Sequence, residues 1–272
     1  MLKQSPDTVR RTTAPTVAID GEGDAFEIIE GDLSKGILLV CDHATNALPE
    51  EYGTLGLPED QLNRHIAHDI GVADVTRGLA SAVGIPAVLS TYSRLLIDPN
   101  RGADDPTLVM QISDGSVIPG NVGIGPDEIA RRLQRFHEPY HRAIDGMIDA
   151  ALALGVVPAL LSIHSFTPHW KGMPRIWHAG ILWDRDDRLA RYLIDALRAE
   201  GDLVVGDNEP YSGELEGDCM NRHGTGRSLA HALIEIRQDL IGHPEGVSEW
   251  IDRLARLVAP ISAMADLHVA AL

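Results

Sequence analysis

Cysteine is scarce in this 272-residue chain, which contains only Cys41 and Cys219. Two thiols so far apart in sequence argue against a disulfide framework and against a cysteine-rich metal site. Long hydrophobic runs are also missing, since no apolar stretch approaches the roughly 20 residues that span a bilayer. The N-terminal residues lack the apolar core of a signal peptide, and we expect a mobile arm over 1–20 followed by one domain over 21–272. These absences predict a soluble, cytoplasmic protein.

Positive charge is the second deficit of the sequence. The chain has 23 Lys and Arg against 40 Asp and Glu, which gives a formal net charge of −17 at pH 7. A field of this sign argues against nucleic acid and anionic membranes as partners. The partner we expect is a small molecule, and an anionic one must be met by individual arginines, since the overall field repels it.

Strand-like apolar runs alternate along the chain with helical patterns. The hydrophobic share of 44% is ample for a core. The alternation predicts an α/β fold, a three-layer α/β/α sandwich of the phosphorylase/hydrolase-like type with a mainly parallel, mixed sheet. We expect strands within 35–43, 86–98, 158–165, 175–183, 202–208 and 230–237, and helices within 68–84, 126–155 (interrupted by Pro139), 187–201 and 247–270.

Three of these strand-like runs carry a histidine or a glutamate near the carboxyl end. His43 follows ILLVCD, His164 closes the run LLSIH, and Glu235 lies within ALIEIR. Open α/β sheets bind ligands at the carboxyl ends of their strands, and a buried carboxylate needs a partner or a function. Catalytic zinc takes three His or carboxylate ligands and keeps one position for water. The three tips therefore indicate a zinc hydrolase site, with an ion pair between Glu235 and Arg237 as the alternative for that strand.

The stretch YSRLLIDPNRGADD introduces two arginines after a predicted strand. Arg94 and Arg101 are both available, and Asn100 directly precedes the second. A guanidinium matches a carboxylate with two parallel hydrogen bonds, so an Asn-Arg pair in a loop suits a carboxylate substrate. No G-x-S-x-G elbow and no glycine fingerprint after the first strand are present, which argues against a serine hydrolase and a nucleotide-binding protein.

Several blocks of the sequence together resemble a known family. CDHATNALPEEYG, YSRLLIDPNRGADDPTL and LLSIHSFTPHWKG, with NEPYSG and LIEIRQDLI, spread over most of residues 35–241. They resemble the N-formylglutamate amidohydrolase family, a branch of the zinc carboxypeptidase-like superfamily. The resemblance implies an enzyme with one zinc ion per chain that hydrolyses the linear amide bond of an N-formyl or N-acyl acidic amino acid.

The resemblance also implies roles for individual residues. His43 and His164 would bind zinc, Glu235 would act as general base and acid, and Arg101 with Asn100 would hold the carboxylate of the substrate. Other residues near the strand tips are assigned to substrate binding: Arg94, Ser165, Tyr211 and Arg237.

The third zinc ligand is where this sequence departs from the superfamily. Carboxypeptidases use His-x-x-Glu, but here His43 is followed three residues later by Asn46, and a neutral amide is a poor zinc ligand. Asp69 is the replacement we prefer, although a carboxylate at the start of a predicted helix is also ordinary. His65 and His68 remain alternatives.

Other polar residues receive a more cautious interpretation. Asp42 is a candidate for orienting one zinc ligand, although adjacent residues on a strand point to opposite faces. His137 and His141 are four residues apart with Pro139 between them, and we predict that they are surface or helix-packing residues. Two other functions remain open: a carboxylate-binding protein of the same fold that has lost catalysis, and a deacylase or peptidase of another substrate. Metal content separates the binder from the enzymes.

Overall fold

A seven-stranded mixed sheet forms the centre of the molecule. The computed structural model describes residues 25–271, so the arm predicted over 1–20 lies outside the described residues. The strands are β1 (Phe26–Ile29), β2 (Ile37–Cys41), β3 (Ala87–Ser90), β4 (Ala159–Phe166), β5 (Ala179–Leu182), β6 (Val205–Asp207) and β7 (His231–Arg237). Their order is β1-β3-β2-β4-β7-β5-β6. Only the β1–β3 and β5–β7 pairs are antiparallel, which confirms the predicted mainly parallel sheet.

Helices cover both faces of this sheet, as predicted for a three-layer sandwich. In chain order they are α1 (Val72–Val83), α2 (Pro126–Arg132), α3 (Glu138–Ala153), α4 (Arg188–Ala199), α5 (Cys219–His223), α6 (Gln238–Ile241) and α7 (Pro244–Val258). Helices α1, α4 and α7 pack on one face, and α3 and α5 pack on the other. Strand β2 shows why, because Leu39 points to the first layer and its neighbours Leu38 and Val40 to the second. A strand buried on both faces needs such a continuous apolar run.

Two helix predictions differ from the structure at prolines. Pro139 does not break the second helix, because Leu133–His137 forms a π-helical turn that joins α2 to α3. Pro139 lies in the first turn of α3, where a missing N–H costs little. The last helix ends at Val258, and the chain continues in 3₁₀ turns from Ala259 instead of reaching 270.

The run predicted as a strand over 86–98 leaves the sheet after Ser90. Its apolar residues Leu95, Leu96 and Ile97 are fully buried, but the backbone around them is paired with loops. The N–H of Asp98, for example, donates to the carbonyl of Leu108 at 2.8 Å. The buried apolar residues of this segment therefore led to the prediction of a strand, whereas the segment crosses the carboxyl edge of the sheet as a loop.

The remaining secondary structure is short. Two-stranded ribbons are formed by Ile112–Ser113 with Ser116–Val117 and by His169–Trp170 with Met173–Pro174. Further 3₁₀ helices lie at Leu33–Lys35, Glu50–Tyr52, Glu59–Asn63, Pro119–Asn121 and Thr225–Arg227. Among residues 25–271, none of the helices combines the length and apolar character needed to cross a bilayer. The assignment of 21–272 to a single domain stays a prediction.

Candidate metal centre and active-site cavity

The three predicted strand tips meet at one edge of the sheet. Strands β2, β4 and β7 are adjacent and parallel, so their carboxyl ends lie side by side. His164 in β4 is the direct register partner of Glu235 in β7, and His43 follows β2 by two residues. The N–H of Asp69 donates to the carbonyl of His43 at 3.0 Å, which holds the start of the next segment against the same edge. All four residues are buried.

His43, Asp69 and His164 bring three potential metal ligands together. Their ligand atoms all lie within 4.8 Å of one another. Oδ2 of Asp69 is 2.9 Å from Nδ1 of His164 and 3.5 Å from Nδ1 of His43. The two imidazole rings meet edge to face, with centroids 4.8 Å apart. Nδ1 is therefore the nitrogen that each histidine presents to the centre.

The outer nitrogen of each histidine contacts a buried carboxylate. Nε2 of His43 lies 2.7 Å from Oδ1 of Asp98, and Nε2 of His164 lies 2.9 Å from Oδ2 of Asp42. Such partners select the tautomer that leaves the other nitrogen free for a metal. Asp42 therefore orients His164. The sequence analysis did not say which of the zinc ligands Asp42 would orient.

The carboxylate of Asp42 is stabilised from several sides. It accepts hydrogen bonds from the hydroxyls of Tyr140 at 3.0 Å and Ser162 at 2.9 Å, in addition to its contact with His164. Burial raises its pKa, but the hydrogen bond and charge of His164 prevail and hold the pKa below its usual range. Asp42 is therefore a permanent carboxylate that can accept from the imidazole of His164.

The donor set fits a bound cation better than it fits hydrogen bonds alone. Nδ1 of His43 is buried and has no hydrogen-bond partner among the described residues. If Nε2 of each histidine donates to its carboxylate, two nitrogen lone pairs and the Asp69 carboxylate point at one another. Such a set of acceptors without a donor is costly to bury unless a cation lies between them. Two imidazoles and one carboxylate suit zinc in particular.

The alternative third ligands lie elsewhere. Asn46 does not line the cavity, and its amide nitrogen donates to the carbonyl of Leu62 at 2.8 Å. His65 lines the same cavity, but its Nε2 is 3.4 Å from the carboxylate of Asp114. His68 is not part of the ligand group. The geometry of the described residues thus favours Asp69.

Arg94 lies in the cavity wall but is already paired. Its guanidinium donates to Oδ2 of Asp98 at 2.8 and 3.1 Å, and its third nitrogen is 3.6 Å from Oδ1 of Asp69. Arg94 therefore connects the candidate ligand Asp69 to the partner of His43. Burial raises the pKa of Asp98, but Arg94 and His43 outweigh it and keep this carboxylate charged.

Asp98 gives a first testable consequence of this geometry. Asp98→Asn retains the shape of the side chain but removes the charge that orients His43, so we expect metal affinity to fall about 10–100-fold. Equilibrium dialysis against a metal buffer measures this directly. Asp114→Asn is the matched control, because it removes a carboxylate that contacts Arg64 and His65 outside the ligand group. Equal affinities for wild type and Asp98→Asn would contradict the orienting role.

Glu235 lies beside the candidate metal centre. Its Oε2 is buried and has no partner within residues 25–271. Burial raises the pKa of Glu235 to about 8, further supported by the nearby Asp69 carboxylate. A carboxyl group of this kind both accepts and releases protons near neutral pH. The alternative ion pair with Arg237 is not formed, because Arg237 binds Asp239 and the carbonyls of Arg175 and Trp177.

A cavity of about 380 Å³ opens above these residues. It brings the three candidate ligands and Glu235 together with five of the six residues predicted to bind substrate: Arg94, Asn100, Arg101, Ser165 and Tyr211. The sixth, Arg237, does not line it. Other lining residues are His65, Phe166, Thr167, Trp170, Leu182, Trp183, Asp184, Ser212, Gly213, Glu214, Leu215, Asp218, Met220, His231, Leu233 and Gln238.

The sequence analysis missed two residues that contact predicted site residues. Asp98 directly follows the buried apolar run LLI, and a carboxylate after such a run is a signal that could have identified it. Gln238 follows β7 directly, and its amide lies 3.3 Å from Oγ of Ser165. No sequence pattern marks Gln238, since its role depends on the β4–β7 pairing.

Comparison with solved structures supports the fold. A gene product of Agrobacterium tumefaciens is 32% identical in sequence with a TM-score of 0.82, covering 90% of this chain and 97% of that one. An N-formylglutamate amidohydrolase from Ralstonia eutropha JMP134 has the same fold, with 21% identity, a TM-score of 0.62, and coverage of 89% and 98%. A search of curated protein sequences finds no significant match.

The family comparison covers the same region as the sequence blocks. The N-formylglutamate amidohydrolase model matches residues 35–242, more than half of the chain. These residues contain every candidate ligand and Glu235. The family predicted from the sequence is thereby confirmed, together with the amidohydrolase class. The chain belongs to the N-formylglutamate amidohydrolase family.

Proposed function

We propose that this chain is a zinc-dependent enzyme that hydrolyses the amide bond of an N-formyl or other N-acyl amino acid. The observation that supports this most strongly is the arrangement of His43, Asp69 and His164 beside Glu235 inside one cavity. A metal site with three protein ligands leaves a position for water, which is typical of a catalytic rather than a structural site.

The residues around the centre divide the chemistry between them. A zinc ion held by His43, Asp69 and His164 would supply a Lewis acid that polarises the acyl oxygen and lowers the pKa of the attacking water. Glu235 takes a proton from that water and delivers it to the leaving nitrogen. Water and the amide are thus converted to a carboxylic acid and a free amine. Asp98 and Asp42 hold the two imidazoles in place throughout.

Arg101 is the group that we assign to the carboxylate of the substrate. Its Nη1 donates to the carbonyl of Asn100 at 2.7 Å and its Nε to Thr107 at 3.1 Å, which fixes the guanidinium at the cavity wall without an ion pair to any described carboxylate. Asn100 itself is anchored, because its Oδ1 accepts from the N–H of Cys219 at 3.0 Å. Arg94 is paired with carboxylates, so Arg101 is the arginine that remains for one substrate carboxylate.

The test begins with metal content and continues with substrates. We expect zinc to copurify with the protein and amine to be released from N-formyl amino acids, with inductively coupled plasma mass spectrometry and amine detection as the measurements. A protein that binds zinc and N-acyl amino acids without turnover would instead be a carboxylate-binding protein of this fold. Protein that cannot be loaded with metal would overturn the proposed mechanism.

The charge of the cavity predicts how strongly the substrate side chain matters. The family points to an acidic side chain, yet the lining residues Asp184, Glu214 and Asp218 are acidic, and among the described arginines that line the cavity only Arg101 has no carboxylate partner. We therefore expect N-formylglutamate and its neutral analogue N-formylglutamine to differ in kcat/KM by less than about tenfold, or 1.4 kcal/mol. A preference for N-formylglutamate above 100-fold would mean that a second cation reaches the substrate.

Arg101→Lys tests the carboxylate assignment. A lysine keeps the charge but cannot form two parallel hydrogen bonds, so we expect KM to rise about 10–100-fold, with little change in kcat. Steady-state kinetics on the best substrate measures both constants. Arg185→Lys, at a side chain that is 82% exposed, is the control and should behave as wild type. A large fall in kcat at constant KM would instead place Arg101 next to the reacting bond.

A further inference from the structure

Helices α3 and α5 bring a second set of possible metal ligands together, away from the strand tips. His137 ends the π-helical turn that precedes α3, His141 lies four residues later in α3, and Cys219 and His223 lie one turn apart in α5. Residues four apart share one helix face. All four are buried, with His141, Cys219 and His223 fully inaccessible. His137 and His141 are therefore helix-packing and not surface residues.

The geometry of this group resembles a preformed ligand set. The potential ligand atoms of His141, Cys219 and His223 all lie within 4.8 Å of one another. Nδ1 of His141 is 2.8 Å from Nε2 of His223. The far nitrogen of His223, Nδ1, lies 3.0 Å from Oδ1 of Asp145. A carboxylate in that position fixes the tautomer whose Nε2 is free to coordinate a metal.

We propose that His141, Cys219 and His223 form a second metal site, selective for zinc or a similar thiolate-preferring divalent ion. One thiolate and two imidazoles are the ligand types that zinc uses in proteins, whereas calcium and magnesium prefer oxygen. This proposal does not depend on the proposed hydrolytic function.

Binding at this site requires the rings of His141 and His223 to separate, the proton shared between them to leave Nδ1 of His141, and the Cys219 thiol to lose its proton. Nitrogens bound to one tetrahedral ion at 2.0–2.1 Å lie about 3.3 Å apart, so the rings of His141 and His223 must separate by about 0.5 Å. Burial holds the pKa of His141 well below its usual value, which keeps this imidazole neutral and able to coordinate. Burial and the neighbouring Asp42 carboxylate raise the pKa of the Cys219 thiol, so the thiol is protonated in the metal-free protein and the metal must displace that proton on binding.

A metal at this position would stabilise the wall of the catalytic cavity. The N–H of Cys219 holds Asn100, and Nε2 of His137, 3.3 Å from Nε2 of His141, lies 2.9 Å from the carbonyl of Arg101. The helix that carries Cys219 also places Met220 in the cavity wall. The second site would therefore fix the loop that presents Arg101, by joining α3 to α5.

Cobalt titration of the metal-free full-length protein distinguishes the two sites. The His43–Asp69–His164 centre contains no sulfur, so only a metal at Cys219 gives a thiolate-to-cobalt charge-transfer band in the near ultraviolet. We expect this band in wild type, and we expect the band to disappear when zinc displaces the cobalt. Equilibrium dialysis should give one ion bound at each site. The spectrum of wild type alone decides the question, whether or not a variant folds.

Two cysteine variants provide the matched comparison. Cys219→Ser should lose the charge-transfer band and one bound ion while keeping the ion at the catalytic centre. Cys41→Ala removes the only other thiol, which is equally buried in β2, and should keep the band. Asp69→Ala should keep the band as well, since it affects the other centre.

Two results would overturn the proposal. They are cobalt binding without a thiolate band, or a band that persists in Cys219→Ser. The side chains would then form only a hydrogen-bonded chain from Asp145 through His223 and His141 to His137.

Discussion

Glu235→Gln is expected to lower kcat by about 10²–10⁴-fold while the metal centre stays intact. The carboxyl group is the only proton acceptor that we place beside the reacting bond, and an amide cannot take a proton from water. The glutamine has the same shape, so KM and metal content should change little. Single-turnover and steady-state rates, measured on metal-loaded protein, test the expectation.

We expect the same substitution to leave the stability of the protein unchanged or to raise it, although it lowers kcat. Oε2 of Glu235 is buried and has no hydrogen-bond partner within residues 25–271, so this carboxyl group lowers stability where it stands. We expect the free energy of unfolding of metal-free Glu235→Gln to equal or exceed that of wild type in urea titration. Loss of activity combined with gained stability is typical of a residue retained for chemistry.

A distant substitution of the same kind separates this effect from a general one. Glu245→Gln changes an exposed side chain in the first turn of α7 and should leave kcat and stability close to wild type. Full activity in Glu235→Gln would refute the assignment of the general base. Lost metal in that variant would instead give Glu235 a role in binding the ion.

The general position of the site could be predicted from sequence because it follows from buried strands. The apolar runs of β2, β4 and β7 identify central strands, and parallel central strands place their carboxyl ends together. His43, His164 and Glu235 therefore lie close together in the fold, whatever paths the connecting loops take. The register that sets Glu235 opposite His164 adds detail, but proximity needs only the strand order.

The partners within the site could not be predicted, because they depend on loop paths. His43 and Asp98 are 55 positions apart and meet only because the chain leaves the sheet after Ser90. That path also turns Arg94 toward Asp98, where the sequence suggested a substrate-binding arginine. Arg237 follows Glu235 by two residues, but carbonyl groups and Asp239 hold its side chain outside the cavity. The spacing of residues along the sequence cannot show whether such an arginine faces the substrate or pairs with groups of the protein.

Asp69→Ala is the second substitution for which we expect a large effect. Asp69 supplies the only carboxylate among the three candidate ligands, and its Oδ2 also accepts the N–H of Ser165 at 3.2 Å. Removing a ligand should weaken metal binding by more than the roughly 10–100-fold cost of removing an outer partner such as Asp98. We expect purified Asp69→Ala to lose one bound ion together with catalytic activity.

The candidates that the sequence left open serve as the controls for this ligand. Asn46→Ala and His65→Ala should retain the ion that Asp69→Ala loses, because their side chains contact Leu62 and Asp114 instead of the centre. Metal analysis of the three variants beside His43→Ala compares them directly. Retention of the ion in Asp69→Ala with loss in Asn46→Ala or His65→Ala would transfer the third ligand to that residue. Loss in Asp69→Ala and His43→Ala alone would assign a His-Asp-His centre, in which Asp69 replaces the glutamate of His-x-x-Glu from a different segment of the chain.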